Sequence, residues 1–323
     1  MSSPSPGPDL SSRPDPAVDY AAASARIDHV LDAEGSSTAP LVAEGGSIAL
    51  LHGHATARCV VLFHGYTSMP GQFALLAEAY DAAGYNVLVP RMPFHGYVDR
   101  MTRDISCLTA SMLRDHADTA IDIAAGLGEE VTVVGLSGGG SLAVWAAVAR
   151  VEVTETVAIS PLMQPSGWSP AVTKGLVAVL PYSPDVYLWW APSDKERLAG
   201  YGYPRFTLKG IGAFLSLVYW IEAVAEREPF PVRGRFTLVR NDGDQRLDGA
   251  FNEALVRALV PSERLTIYTI PASASLLHDV VTPEPEGENA ELIDDAYRRL
   301  SEALDIELPQ PTLRRPAAGA VTA

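Results

Sequence analysis

Apolar residues along the chain follow two spacings. Short runs rich in β-branched residues predict strands, several of them buried on both faces, and they lie at 47–53, 59–65, 85–90, 131–134, 155–160, 234–240 and 264–270. Between these runs apolar residues recur at helical spacing, which predicts helices at 20–35, 70–84, 104–128, 142–149, 249–259 and near 287–304. This alternation predicts an α/β fold with a doubly wound, mostly parallel sheet.

One region interrupts the alternation. Residues 162–232 carry four of the five tryptophans, many prolines and tyrosines, and one strong helical pattern at 212–226. An inserted, aromatic-rich cap or lid is the interpretation of this region. The predicted organisation is therefore a disordered leader, the first part of the core, the cap, the second part of the core and a disordered tail, at 1–19, 20–161, 162–232, 233–307 and 308–323.

The junction between one strand and one helix carries candidate chemistry. Gly135-Leu136-Ser137-Gly138-Gly139 stands between the strand at 131–134 and the helix at 142–149. A turn this tight favours glycine, and Gly-x-Ser-x-Gly between a strand and a helix is the pattern of a nucleophile elbow. The stretch lacks the Lys-Ser/Thr of a phosphate-binding loop, so a catalytic Ser137 is the favoured interpretation.

A serine nucleophile needs a base, and the base needs an acid that orients it. Asp244 follows the strand at 234–240 and is the preferred acid, with Asp242 as the alternative. His278 follows the last predicted strand and is the candidate base. The order Ser, Asp, His along the chain is the hydrolase order.

From about residue 43 to 304, the chain resembles the α/β-hydrolase superfamily, above all bacterial carboxylesterases and monoacylglycerol-lipase-like serine hydrolases. The resemblance rests on "LFHGYTS", "VPRMPFHG", "VVGLSGGG", "NDGDQRLD" and "LLHDVV". It implies an oxyanion hole made by two N–H groups, that of Tyr66 in a loop led by His64 and Gly65, and that of Gly138 just after the nucleophile. The chain departs from its relatives at the acid turn, where Leu247 replaces a frequent valine and two acids compete.

Composition narrows the range of partners. The 323 residues carry a net charge of −15, which disfavours nucleic acid and anionic membrane surfaces. No uninterrupted apolar run approaches the roughly 18 residues of a membrane span, so stable membrane insertion is not expected. The N-terminus lacks the apolar segment of a signal peptide, and a cytoplasmic location is the expectation. The two cysteines, Cys59 and Cys107, form no disulfide framework and no zinc spacing.

The sequence therefore predicts a serine hydrolase that cleaves small-molecule carboxylic esters of small or medium apolar character through an acyl-enzyme on Ser137. No cofactor and no metal are expected. An aminopeptidase, a thioesterase and a non-catalytic small-molecule-binding protein stay open as alternatives, and a homodimer is possible. The aminopeptidase alternative rests on four acids of the cap region that could hold a free amine, namely Asp185, Asp194, Glu196 and Glu222.

Overall fold

A seven-stranded sheet forms the centre of the molecule. The computed structural model describes residues 9–190, 202–283, 289 and 291–311. In chain order the strands are β1 (Ile48–Leu50), β2 (Thr56–Phe63), β3 (Asn86–Val89), β4 (Gly128–Leu136), β5 (Val153–Ile159), β6 (Tyr187–Trp189), β7 (Arg205–Thr207), β8 (Arg235–Asn241) and β9 (Leu265–Ile270). The sheet order is β1-β3-β2-β4-β5-β8-β9, while β6 and β7 form a separate hairpin. Every pair in the large sheet is parallel except β1 with β3.

Helices cover both faces of this sheet. They are α1 (Tyr20–Gly35), α2 (Ala74–Ala82), α3 (Ala110–Leu127), α4 (Gly138–Ala149), α5 (Pro170–Val179), α6 (Leu208–Arg227), α7 (Gly249–Leu259) and α8 (Ile293–Leu304). Cys59, Val61 and Phe63 of β2 pack in one core with α3 and α4, whereas Val60 and Leu62 pack in a second core with α2 and α8. This alternation requires a strand that is apolar on both faces. The predicted doubly wound, mostly parallel sheet is confirmed.

One predicted helix is divided. The pattern at 104–128 predicts a single helix, but a 3-10 turn occupies Asp104–Cys107 and α3 begins only after Thr109. The Thr109 hydroxyl accepts the N–H of Met112, so this residue caps a new helix start. The apolar spacing continues across the break, which is why periodicity alone does not reveal it.

The predicted disordered leader is wrong over residues 9–19. Leu10 is fully buried, and its carbonyl accepts the indole N–H of Trp145 at 2.9 Å. The backbone N–H of Arg13 donates to Asp118 of α3 at 2.8 Å. Buried acceptors on α3 therefore hold a segment whose composition is typical of disorder. Residues 1–8 lie outside the described part of the chain.

At the other end, the predicted tail at 308–323 falls mostly outside the described residues, which stop at position 311. Leu308 itself is half-buried and packs against the core that α2 and α8 share.

Between β5 and β8 the chain forms α5, the β6–β7 hairpin and α6, and residues 191–201 are not described. By length and composition α6 alone among the described helices could cross a membrane, with half of its apolar window buried in the protein. Its buried residues, among them Phe214, Leu217 and Val218, belong to the core that contains α3 and α4. That packing is typical of a core helix. The boundaries of the inserted cap stay a prediction.

Candidate active site

Ser137 occupies a strained turn between β4 and α4. Its φ of +55° lies in the left-handed region that side chains other than glycine's rarely adopt. The neighbouring residues at 131–136 and 138–147 are buried, whereas Ser137 is partly exposed. Its N–H donates to the Ile159 carbonyl at 3.0 Å, and its own carbonyl accepts the N–H of Leu162 at 2.9 Å. These bonds hold the turn at the carboxyl end of β4, where the Ser137 side chain is partly accessible.

The glycines beside Ser137 are required by close approach of backbones. A Cβ on Gly135 would lie 2.1 Å from the carbonyl oxygen of Gly139. A Cβ on Gly139 would lie 1.9 Å from the carbonyl oxygen of Phe63 at the end of β2. Neither contact is possible for a side chain, so the Gly-x-Ser-x-Gly pattern follows from how tightly α4 packs on the sheet.

The structure brings Asp244 and His278 together. Asp244 Oδ2 and His278 Nδ1 are 2.7 Å apart, and both side chains are at least nine-tenths buried. The other carboxylate oxygen of Asp244 accepts the N–H of Arg246 at 2.8 Å. Burial alone would raise the pKa of Asp244, but the His278 hydrogen bond and charge and the Arg246 N–H hold that pKa below its ordinary value. An ionised carboxylate is therefore in place to orient the imidazole.

The alternative acid, Asp242, faces elsewhere. Its carboxylate forms an ion pair with Arg240, with Nε 2.8 Å from Oδ1, and its side chain is exposed. Of the two acids that the sequence leaves open, only Asp244 contacts His278.

Two asparagines that sequence reasoning missed brace the histidine loop. Asn241 donates to the carbonyls of Leu276 and Leu277 at 3.0 and 2.9 Å. Asn289 accepts the N–H of Leu277 at 2.7 Å and donates to the carbonyl of Asp279 at 2.7 Å. Asn241 binds carbonyls 35 and 36 residues away, and Asn289 binds groups 10 and 12 residues away, so no local motif marks either residue.

Ser137, Asp244 and His278 follow β4, β8 and β9, so all three lie beyond the carboxyl ends of parallel strands. Within the described residues no hydrogen bond joins the Ser137 hydroxyl to His278. Catalytic hydrogen bonds are often long in substrate-free enzymes and tighten when substrate binds.

The backbone donors of the loop after β2 differ in whether they have a partner. The N–H of Gly65 donates to Gln72, that of Thr67 to His95, and that of Ser68 to the Gly65 carbonyl. The N–H of Tyr66 has no acceptor in the described part of the chain. The N–H of Tyr66 is therefore available to a ligand, which agrees with the role that the resemblance implies.

Gly138 supplies the second expected donor. It is the first residue of α4, and the first N–H groups of a helix have no intrahelical acceptor. The ring of Phe214 covers it, since a Cβ on Gly138 would lie 2.9 Å from Phe214 Cζ. Phe214 also packs on the Tyr66 ring, with centroids 5.3 Å apart. One buried aromatic ring thus supports both expected oxyanion donors.

Two buried histidines shape the loop after β2. His64 Nε2 accepts the N–H of Met92 at 3.1 Å, and His95 Nε2 accepts the N–H of Thr67 at 3.1 Å. Burial lowers the pKa of His64 well below its ordinary value, and burial lowers the pKa of His95 to about 4. Both rings are neutral at pH 7 and act as fixed acceptors.

An aromatic group lies above the loops of the site. The Trp190 indole N–H donates to Thr67 Oγ1 at 2.8 Å, and its ring lies 4.2 Å from that of Phe206. The Arg246 guanidinium also lies against this group, 5.0 Å from the Trp190 ring centroid. Trp190 therefore connects the loop after β2 with the turn that carries Asp244. Trp220 instead packs against Trp145 in the core.

A cavity of about 300 Å³ lies elsewhere, between α1, α3 and the end of β3. Its lining includes Ile27, Leu88 and His116 but none of Ser137, Asp244 and His278. In the described ranges no cluster of three or more histidine, cysteine or acidic side chains is arranged to hold a metal ion.

Comparison with known families gives one clear match. The sequence model of the alpha/beta hydrolase family matches residues 60–291, which include the elbow, the acid turn and the histidine loop. No curated protein matches this chain in sequence.

Solved structures extend the likeness over most of the chain. One of two metagenome-derived lipolytic enzymes, LipS and LipT, is 22% identical over 82% of this chain and 100% of its own, with a TM-score of 0.59. A monoacylglycerol lipase of Paleococcus ferrophilus is 17% identical over 79% of this chain and 98% of its own, with a TM-score of 0.54. A soluble variant of monoglyceride lipase from Saccharomyces cerevisiae, in complex with a substrate analog, is 14% identical over 77% of this chain and 87% of its own, with a TM-score of 0.56. At these identities the likeness shows the fold.

Proposed function

This chain belongs to the alpha/beta hydrolase family, and from that premise we propose that it is a serine hydrolase that cleaves carboxylic esters through an acyl-enzyme on Ser137. The observation that carries the proposal is the buried pair of Asp244 and His278, which are 2.7 Å apart. This pair lies beyond the carboxyl ends of the parallel strands, as does the partly accessible Ser137 in its strained elbow. A chain that only bound small molecules would have no need of this pair.

In acylation, His278 Nε2 takes the proton of the Ser137 hydroxyl while its oxygen attacks the ester carbonyl. The carbonyl oxygen becomes an oxyanion that the N–H groups of Tyr66 and Gly138 stabilise. His278 then gives its proton to the leaving alcohol, and Ser137 keeps the acyl group as an ester.

In deacylation, water enters the same site and His278 takes its proton. The hydroxide attacks the acyl carbonyl, the same N–H groups bind the second oxyanion, and the acid leaves as Ser137 regains its proton. Asp244 keeps Nδ1 of His278 protonated, so that Nε2 is free to act as base, and stabilises the imidazolium that forms in both steps.

A small or medium apolar acyl or alcohol group fits the surroundings of the site. Trp190 and Phe206 supply partly exposed apolar surface close to Thr67. Such surface favours uncharged substrates, because a charged group would lose its hydration there without gaining a partner.

The aminopeptidase alternative loses two of its acids. Asp185 pairs with Lys209 at 2.8 Å, and Glu222 pairs with Lys174 at 3.1 Å. Each carboxylate already has a cation, so neither stands ready for the free amine of a peptide. The other two acids, Asp194 and Glu196, lie outside the described residues.

The proposal is tested by hydrolysis of p-nitrophenyl acetate, butyrate, octanoate and palmitate. We expect turnover that peaks at a short or medium chain and falls by a factor on the order of 10⁵ in Ser137→Ala and His278→Ala. Ser36→Ala and His29→Ala, at exposed positions of the N-terminal region, serve as matched controls that keep full activity. Unchanged turnover in a folded Ser137→Ala protein would reject the mechanism.

A further inference from the structure

We propose that Gln72 is a positioning residue that couples the loop of the oxyanion donor Tyr66 to the loop of the base His278. This inference rests on the proposed serine hydrolase function. Gln72 touches none of the reacting atoms, and it acts through Gly65 on one side and Asp279 on the other.

The Gln72 side chain is buried, with an exposed fraction of 2%. Its Oε1 accepts the N–H of Gly65 at 2.8 Å. Its Nε2 donates to Asp279 Oδ2 at 2.9 Å and to Thr282 Oγ1 at 3.2 Å. The orientation of the amide is unambiguous, because a backbone N–H can only donate and a carboxylate can only accept. One planar group thus spans two loops more than 200 residues apart in the chain.

The Gly65 end of this bridge lies in the proposed oxyanion hole. Gly65 directly precedes Tyr66, and a Cβ built on Gly65 would lie 3.8 Å from Ser137 Cβ. By accepting the Gly65 N–H, Gln72 fixes the peptide unit between His64 and Gly65, and Tyr66 is the next residue along the chain. The position of the Tyr66 N–H relative to Ser137 therefore depends on Gln72.

The Asp279 end lies beside the base. Asp279 directly follows His278, and its Oδ1 accepts the N–H groups of Val281 and Thr282, both at 3.0 Å. Its Oδ2 accepts the Thr282 hydroxyl together with the Gln72 amide. The Asp279 carboxylate is therefore the centre of a loop-closing network. A shift of Asp279 would move His278 away from Ser137.

A test follows from the polarity of the bridge. In Gln72→Glu the side chain still accepts from Gly65 but presents a second carboxylate to Asp279, which separates the two loops. In Asp279→Asn, an amide nitrogen turned toward Gln72 places two donors together. An amide oxygen turned toward Gln72 no longer accepts the N–H groups of Val281 and Thr282. In the double variant the amide introduced at position 279 donates to the carboxylate introduced at position 72 and keeps its oxygen for those N–H groups, so the bridge reforms with reversed polarity.

The measurement is kcat and KM for p-nitrophenyl butyrate, with kcat expressed per Ser137 titrated by a fluorophosphonate. We expect each single variant to lower kcat roughly 10- to 100-fold with KM nearly unchanged, since misplacement by about 1 Å can cost 10²-fold. The double variant should recover most of the wild-type kcat. Gln310→Glu adds the same charge at an exposed position and should have no effect.

Two results would overturn the coupling. One is a double variant whose kcat is no higher than the value obtained by multiplying the two single losses. The other is a melting temperature that falls while kcat per titrated serine stays unchanged, since that describes a purely structural glutamine. If Gln72→Glu does not fold, Gln72→Met keeps the volume without the hydrogen bonds and must show the same loss of kcat. A folded wild type that neither reacts with the probe nor turns over ester would instead reject the hydrolase proposal itself, and this role with it.

Discussion

At the scale of single residues, the choice between the two acids separates two positions that look equivalent in the sequence. Asp242 directly follows β8 and Asp244 comes two residues later, so only their contacts decide between them. Asp244 accepts from His278 and from the backbone of its own turn, whereas Asp242 pairs with Arg240 at the surface.

Asp244→Asn should therefore lower kcat by a factor on the order of 10⁴, because the amide favours the wrong imidazole tautomer. Asp242→Asn is the matched control and should stay within about twofold of wild type, since the charge of an exposed pair contributes little. Steady-state kinetics on p-nitrophenyl butyrate checks both. Equal losses in the two variants would contradict the assignment of Asp244.

The site shows how far residue patterns reach. Ser137, Asp244 and His278 can be proposed from the sequence because each sits in a local signal, an elbow or a loop after a strand. Gln72, Asn241 and Asn289 carry no such signal, since they act through hydrogen bonds to other segments of the chain. Their roles depend on which loops the folded chain brings together, and local sequence patterns do not reveal those contacts.

At the scale of elements, most of the predicted helices and strands are confirmed to within a few residues. The helix at 249–259 coincides with α7, and the strand at 264–270 with β9. The sequence pattern does not predict the short hairpin of β6 and β7, because both strands lie in the proline- and tyrosine-rich region that interrupts the alternation. The break before α3 depends on a cap at Thr109 and not on apolar spacing.

The N-terminal segment gives an element-scale prediction. Leu10 is fully buried beside Trp145, whereas Val18 is 89% exposed. We expect Leu10→Ala to lower the free energy of unfolding by about 2–5 kcal/mol, as for other buried leucines. Val18→Ala should change it by no more than about 0.5 kcal/mol. Urea denaturation compares the two, and equal effects would show that residues 9–19 do not pack as described.

The buried ion network on α3 supports the same segment. Arg150 pairs with Asp118 at 2.9 Å and with Asp122 at 2.6 Å, and both acids also bind N–H groups of the segment. Arg150→Met should destabilise the fold by about 3–5 kcal/mol, because it leaves the buried carboxylate of Asp122 without its cation. A loss below about 1 kcal/mol in urea denaturation would contradict this view of the network.

At the scale of the whole molecule, buried neutral histidines contribute to how stability depends on pH. The pKa of His95 falls to about 4 on burial, while an unfolded histidine titrates near its ordinary value of 6.5. Between these values the unfolded chain binds a proton that the folded protein does not. The free energy of unfolding therefore falls as the pH falls from about 6.5 to 4, by about 1.4 kcal/mol per pH unit for each such histidine.

His95→Gln keeps a donor and an acceptor but does not titrate. It should therefore reduce the slope of the free energy of unfolding against pH by the contribution of one histidine, whatever its effect on stability at pH 7. His29→Gln, at an exposed position of α1, is the matched control and should leave the slope unchanged. Urea denaturation between about pH 4.5 and pH 7 measures the slopes. Parallel curves for wild type and His95→Gln would mean that His95 is already charged in the folded protein.

The proposed mechanism requires Ser137 to be an activated nucleophile, and reaction of the folded protein with a fluorophosphonate, followed by peptide mapping, tests for that reactivity. We expect one adduct, on Ser137, that disappears in Ser137→Ala and forms far more slowly in His278→Ala. A folded wild-type protein that stays unlabelled, or that carries the adduct on another residue, would contradict the proposed catalytic site.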